Sequence, residues 1–553
     1  AAAAPATTAA AAPATTAAAA PATTAADAPV VEAAPAVEYE APPEDSSIGY
    51  AWSIPLKSLD PHATPSNFDP IYIGLAYDTL IVREFDGTFS PMLATSWEFV
   101  EPDVLELKLR EGVTFHGGRA FDAEAVVLNF ERVTTGETST RGGPLAAAIA
   151  SVEAVDSMTV RMTLGDGPGV VFGALSSMGG MMINPDAFDT DLSVTADGTG
   201  PYRVTQVLAA ESVTFKRFEN TWAPEDARVS NLKIVTNKDS AQRVNLLLTG
   251  DVDATNIDTH QIEMLEEKGY TTHFRVGDDA FVMQLNWERI PDVAARQAIE
   301  SSIDRALILE GIHKGVSEAG GQVQTMGDPA YNSNVSPDPD IERAIQLAAD
   351  SGLKGSTLQL MTAGVPNLEA YAQAIQPMLE QLGVTVEITL VEWGQLNPEW
   401  ATGNYDLSLI YFTGNSDLAL SYDALLGADS ALNPAGTAPD GIDALIAATF
   451  SETDPAARTQ QFSDLAAAVD EAAVVGVLVH PVQPIVTAPG IVINADRLRL
   501  FGGFNLRGIH RDGDAPAAPV VAEVEAAPAV EYEAPSEDSS IGYAWSIPLK
   551  SLD

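Results

Sequence analysis

The sequence predicts an α/β fold. After about residue 355 a strand-like run, STLQLMTA (356–363), is followed by a helical segment, by VTVEITLVEW (384–393) and by NYDLSLIYF (404–412). That alternation is the order of βαβ units, in which helices cover a sheet. The N-terminal half is richer in strands. VLELKL (104–109), MTVRMTL (158–164) and SVTFKRF (212–218) alternate apolar and polar residues, the period of a half-buried strand. Apolar residues make up 46% of the 553, enough for a sizeable core, so wholesale disorder is excluded.

The helical segments follow in order. AEAVVLNFERV (123–133) carries an apolar stripe, and DVAARQAIESSIDRALILEGI (292–312) carries another. IERAIQLAADSGL (341–353) and YAQAIQPMLEQLG (371–383) carry Gly352 and Gly383 at their ends, as helix C-termini often do. ARTQQFSDLAAAVDEAA (457–473) reads as a further helix.

The two ends are of another kind. Residues 1–24 read AAAAPATT three times, and an acidic, Pro-rich stretch follows. Such a composition offers nothing to bury, so 1–46 is expected to be a disordered, solvated tether. Residues 32–60 recur at 525–553, with Pro43 replaced by Ser536. The copy repeats an acidic Pro/Ala tether and then SIGYAWSIPLKSLD, which reads as a strand running into a turn. This repeat suggests a unit of a tandem array or a partial duplication.

Composition removes whole classes of function. The formal charge of −48 repels phosphate backbones, so nucleic acid is not an expected partner. Without cysteine there is no disulfide, thiolate nucleophile or iron–sulfur ligation. No run approaches the ~18 apolar residues that span a bilayer. Neither a Gly-x-Ser-x-Gly elbow nor a Gly-x-x-x-x-Gly-Lys phosphate loop occurs, and GDGPG (165–169) reads as a turn. Asp251, Asp253, Asn256 and Asp258 resemble part of a calcium loop whose Gly and closing Glu are out of place. The seven histidines (His62, His116, His260, His273, His313, His480 and His510) show no i, i+4 pair, and each reads as a turn or surface residue. No catalytic residue, metal or cofactor is expected, and the chain reads as a non-enzyme.

A series of segments carries a resemblance. LATSWEF (93–99), LREGVTFHGGRAFDAEAVVLNFERV (109–133), GTGPYRV (198–204), RVNLLLTGDVDAT (243–255) and RQAIESSIDRALILEGIHKG (296–315) stand in order. Together they resemble the extracellular solute-binding proteins of ABC importers, in the peptide/nickel/oligosaccharide-binding family. The likeness covers about residues 47–510, with one departure: Gly117 follows His116 where the family usually has Asp. It implies a periplasmic-binding-protein-like fold of two lobes on a hinge. Lobe I would be 47–276 with a return at 485–512, lobe II would be 277–484, and 513–553 would be a second tether with the copied strand. The implied function is capture of a peptide or similar polar oligomeric solute between the lobes, in the periplasm or at the cell surface, and delivery to an ABC permease.

The resemblance also implies site residues. Matching Thr413-Gly414 places Asn415 where the family's peptide binders hold an amine-pairing Asp, with Asp417 two positions on. Ser66, Asn67 and Phe68 match the early loop that reaches the cleft. Trp393 and Tyr411 offer rings on which a ligand could stack, or pack in the core. The alternative reading is a structural or filament-forming subunit that self-associates by exchanging the strand in 541–553.

Overall fold

The computed structural model describes residues 41–513, apart from 85–86, 136–141, 166, 393–394, 401, 429, 431, 434–440, 495–498 and 501–502. The AAAAPATT repeats, Trp393 and the copied strand in 541–553 lie outside the described residues.

Two mixed sheets organise the chain. The first has seven strands, in spatial order Thr271–Val276, Val482–Thr487, Ala254–Asn256, Ser47–Trp52, Asn231–Thr236, Ser212–Arg217 and Tyr202–Leu208. Ser47–Trp52 is central and runs parallel to both neighbours. Its side chains alternate between faces: Ile48, Tyr50 and Trp52 enter one apolar cluster and Ala51 the opposite one. The second sheet has six strands, ordered Glu318–Ala319, Val475–His480, Ala280–Leu285, Leu407–Phe412, Thr357–Ala363 and Thr385–Val391. Here Thr357–Ala363 pairs parallel with Thr385–Val391, joined through the helix Pro366–Glu380, which is the βαβ unit read from sequence. A four-stranded antiparallel sheet, Ala94–Glu101, Val104–Leu109, Thr159–Leu164 and Ile149–Asp156, is inserted in sequence between Ser47–Trp52 and Tyr202–Leu208 of the first sheet and packs on the helix Ala123–Thr135.

The chain passes from the seven-stranded to the six-stranded sheet between Val276 and Ala280, and returns through Pro481 between His480 and Val482. The strands that flank the crossings are buried throughout: every residue of Ala280–Leu285 and of Val475–His480 is buried. After the return, residues 504–509 rejoin the first unit through Arg507. This fully buried guanidinium pairs with Asp78 at 2.7 Å and Asp226 at 3.3 Å and donates to the Gly74 and Tyr77 carbonyls.

Two readings are corrected. The stripe at 292–312 is not one helix: Val293–Ser301 ends, and Arg305–His313 restarts on Asp304, whose carboxylate accepts from the Leu307 N–H. An Asp that caps a new first turn competes with helix continuation. Secondly, four histidines are buried rather than on the surface: His62, His116, His313 and His480. Each has found polar partners inside; His62, for example, lies between the Met181 carbonyl and Arg132. Gly198 and Gly200 of GTGPY serve close packing. A Cβ at either would lie 2.2–2.6 Å from the backbone of Ala76.

Candidate functional site

A cavity of about 350 Å³ lies where the N-terminal unit meets the six-stranded unit. That is at the lower end of the roughly 300–1,000 Å³ usual for small-molecule sites. One wall comes from Arg83, Phe89, Trp97 and Phe172, the other from Asp328, Asp417, Arg458 and Phe462.

The apolar part of the first wall is built on Phe172, in the short helix Val171–Leu175. Its ring meets Phe89 at 5.6 Å, Trp97 at 5.8 Å and Phe99 edge-on at 6.1 Å. Such offset and edge contacts hold rings in fixed orientations, and so present a rigid surface. Gly169 and Gly173 flank the ring at helical spacing and let this segment lie flush against the opposite unit. A Cβ on Gly169 would fall 2.5–2.8 Å from the carbonyl oxygens of Glu452, Thr449 and Phe450, and one on Gly173 would fall 2.6 Å from the Asp417 Cβ.

The polar groups are mostly committed. Both oxygens of Asp417 accept from Arg458, at 2.7 and 2.8 Å, and Oδ1 also caps the helix Leu418–Leu426 through the Ala419 N–H. The Arg458 Nε–H goes to the Thr449 carbonyl, and its guanidinium lies 4.9 Å from the centre of the Phe462 ring. Arg83 donates from Nη1 to Asp278 at 3.0 Å, while its Nη2 stands 3.8 Å from Asp328 Oδ2. Burial pushes the Asp328 carboxyl above the usual carboxylate range, and neighbouring Asp417 adds to the rise. The Ala330 N–H and Arg83 oppose it.

The residues singled out from sequence are scattered. Asp417 lines the cavity. The Ser66 hydroxyl accepts from the Phe68 N–H at 3.1 Å, Asn67 is exposed, and Phe68 packs on the core of the seven-stranded sheet; none of the three is in the lining. Tyr411 is half-buried, edge-on to Phe281 at 5.1 Å. Asn415 holds its own loop, its N–H donating to Ser421 Oγ and its amide to the Leu420 carbonyl. Sequence reasoning missed Arg83, Phe172, Asp328 and Arg458. The spacing of Gly169 and Gly173 was the one local sign that something packs closely there. At Gly117, a Cβ would lie 2.5 Å from Asp197 Oδ2, whose carboxylate already accepts from the Gly117 N–H. That accounts for a glycine after His116.

Residues 88–431 match the model of the bacterial extracellular solute-binding proteins, family 5 (middle). The chain belongs to this family. It is similar to the di/tripeptide-binding protein 3 of Pseudomonas aeruginosa, 25% identical over 423 residues, 66% of this chain and 78% of the relative. The glutathione-binding protein GsiB of Escherichia coli is 24% identical over 430 residues, 73% and 83% of the two chains. Among solved structures, NikA from Brucella suis in complex with Fe(III)-EDTA superposes with a TM-score of 0.75 at 23% identity, covering 85% of this chain and 100% of that one. DppA from Helicobacter pylori in complex with the peptide STSA gives 0.68 at 21%, covering 84% and 98%. These likenesses establish the mixed α/β fold of periplasmic binding proteins. A family 5 extracellular solute-binding protein works as the capturing component of an ABC importer. Among the described residues no helix is long and apolar enough to cross a membrane.

Proposed function

We propose that the protein captures a small peptide, or a solute of similar size and polarity, in the cavity between its two units and passes it to the permease without chemical change. The observation that carries this reading is the lining itself. Rigid aromatic rings from one unit face charged groups from the other, so a bound solute touches both and favours the closed arrangement. Because Val482–Thr487 belongs to the seven-stranded sheet, the boundary expected at 484/485 moves to Pro481, and in this reading 47–276 with 482–512 moves as one lobe and 280–480 as the other. The chain crossings at 277–279 and Pro481 are the natural hinge. The small volume and the di/tripeptide- and glutathione-binding relatives favour a solute of two or three residues.

Calorimetry and thermal shift with dipeptides, tripeptides, glutathione, oligosaccharides and nickel chelates test the reading. A responding ligand at a hundredfold its Kd stabilises the fold by about 2.7 kcal/mol. Scattering should show compaction on binding. No response from any class, with no compaction, overturns it.

A further inference from the structure

Three large rings line the cavity and stay half-buried: Phe89 on the short strand Phe89–Pro91, Trp97 on Ala94–Glu101 and Phe172 on Val171–Leu175. Topology explains the exposure. Ala94–Glu101 is an edge strand of the four-stranded sheet, so Trp97 and Phe99, two apart on one face, have a paired strand on one side only. Phe172 fills part of the gap, and its ring meets Phe89, Trp97 and Phe99 at 5.6, 5.8 and 6.1 Å. The charged groups of the cavity, by contrast, answer one another. Asp417 holds Arg458 with both oxygens, Arg83 stands between Asp278 and Asp328, and Glu452 turns Oε1 to the Asp454 N–H. Even the opposite wall places a ring in the lining, since Phe462 lies 4.9 Å from the Arg458 guanidinium. Apolar surface left wet in a cavity is where an incoming apolar group gains most.

We propose that Phe89, Trp97 and Phe172 form a subsite for an aromatic side chain of the solute, with Trp97 and Phe89 as its specificity-determining residues. The inference rests on the peptide reading above and narrows it to peptides that carry such a side chain. A guest ring joins the cluster in the offset and edge-on geometry its members already share, at centroid spacings of about 4.5–7 Å. It withdraws apolar surface from water on both partners. A small polar side chain instead leaves the rings wet and gives up its own hydration. Phe172 holds the cluster together, because the three other rings all touch it.

The test is calorimetric, on the full chain, with Ala-Phe and Phe-Ala against Ala-Ser and Ser-Ala, so that either peptide position can face the rings. The better Phe peptide should bind wild type roughly ten- to a hundredfold more tightly than its Ser counterpart, the range of apolar discrimination in a pocket. Trp97→Ala should erase most of that ratio by weakening the Phe peptide alone. Trp97→Phe keeps a ring and should retain most of it. Phe89→Ala serves as a second variant should Trp97→Ala fail to fold. Equal affinity of wild type for Phe and Ser peptides, a ratio that survives in both alanine variants, or an equal loss for both peptides overturns the assignment and leaves solute capture standing. No binding of any of the four peptides by wild type overturns the peptide reading, and this assignment with it.

Discussion

Gly173 and Asp417 meet across the boundary between the two units: a side chain begun at Gly173 would place its Cβ 2.6 Å from the Asp417 Cβ and 3.2 Å from the Ser416 carbonyl oxygen. In the proposed two-lobe reading the two residues belong to different units, so this contact is made in the closed arrangement and released when the units part. The same holds for Gly169 against the carbonyls at 449–452.

Substituting Gly169 or Gly173 by Val should therefore obstruct closure rather than folding. Overpacking costs about 1–3 kcal/mol. Because that cost falls on the closed state, solute affinity should drop roughly ten- to a hundredfold. Scattering should show a more open ligand-free protein with an unfolding midpoint near that of wild type. Retained affinity in both variants would separate closure from binding.

The Asp417–Arg458 pair makes an opposite expectation. Its side chains are 3% and 13% exposed, so removing one partner strands the other in a poorly solvated place. Asp417→Ala should cost about 3–5 kcal/mol in urea unfolding of the ligand-free protein, including the lost helix cap. Asp417→Asn keeps an acceptor for the Ala419 N–H and should cost less. A ligand-free stability equal to wild type in both would refute the structural role assigned here.

Much of the fold was legible because its signals are local. VLELKL, SVTFKRF and STLQLMTA became strands at Val104–Leu109, Ser212–Arg217 and Thr357–Ala363, since alternation is written into neighbouring residues. The break at Ser302–Asp304 was legible in principle, but the apolar stripe runs through it and masks the cap. The buried histidines were not legible. A single imidazole has no period, and His313 reaches Tyr371, 58 positions away, at 2.6 Å. The site fared similarly. Asp417 came from a family motif, whereas Phe89, Trp97 and Phe172 sit on three separate elements and become a wall only through tertiary packing. That Asp417 is tied in a two-pronged pair depends on Arg458, a partner 41 positions along the chain.

Buried histidines predict acid sensitivity. Nε2 of His116 donates to the Gly200 carbonyl at 2.9 Å, Nδ1 has no partner among the described residues, and burial lowers its pKa to about 4. Arg203 disfavours the cation, while Asp197 and Asp78 partly offset the shift. The unfolded chain protonates near pH 6.5 and the folded one near 4, so between these values the unfolded state holds more protons. Stability from this group is complete above pH 6.5 and is lost as the pH falls towards 4. At pH 5 the loss is roughly 2 kcal/mol. His116→Gln should reduce the fall in unfolding free energy between pH 8 and pH 5 by about that amount. An unchanged difference would mean that His116 is protonated in the folded state.

The copied segment poses the last question. SIGYAWSIPLKSLD occurs at 47–60 and at 540–553, and the first copy supplies the central strand of the seven-stranded sheet. Tyr50 and Trp52 meet Phe504 at 5.4 and 5.9 Å, and Asp60 ends the segment in a 2.6 Å pair with Arg132. To replace this copy, the second would have to enter between Asn231–Thr236 and Ala254–Asn256, in parallel register with both. It would also have to meet a chain that continues from Asp60 into Pro61 without a break. Both copies would pair across long loops, the second across the longer, so loop closure separates them only slightly and the unbroken chain from Asp60 into Pro61 favours the first. Tyr50→Asp puts a charge into a fully buried position and should abolish folding both in the full chain and in a variant lacking 514–553. The 514–553 deletion alone should unfold at the same urea midpoint as the intact chain. If Tyr50→Asp folds in the full chain and fails only in the deletion, the second copy can complete the sheet. Sedimentation at rising concentration then shows whether it does so within one molecule or between two, since exchange between molecules extends into open chains of subunits.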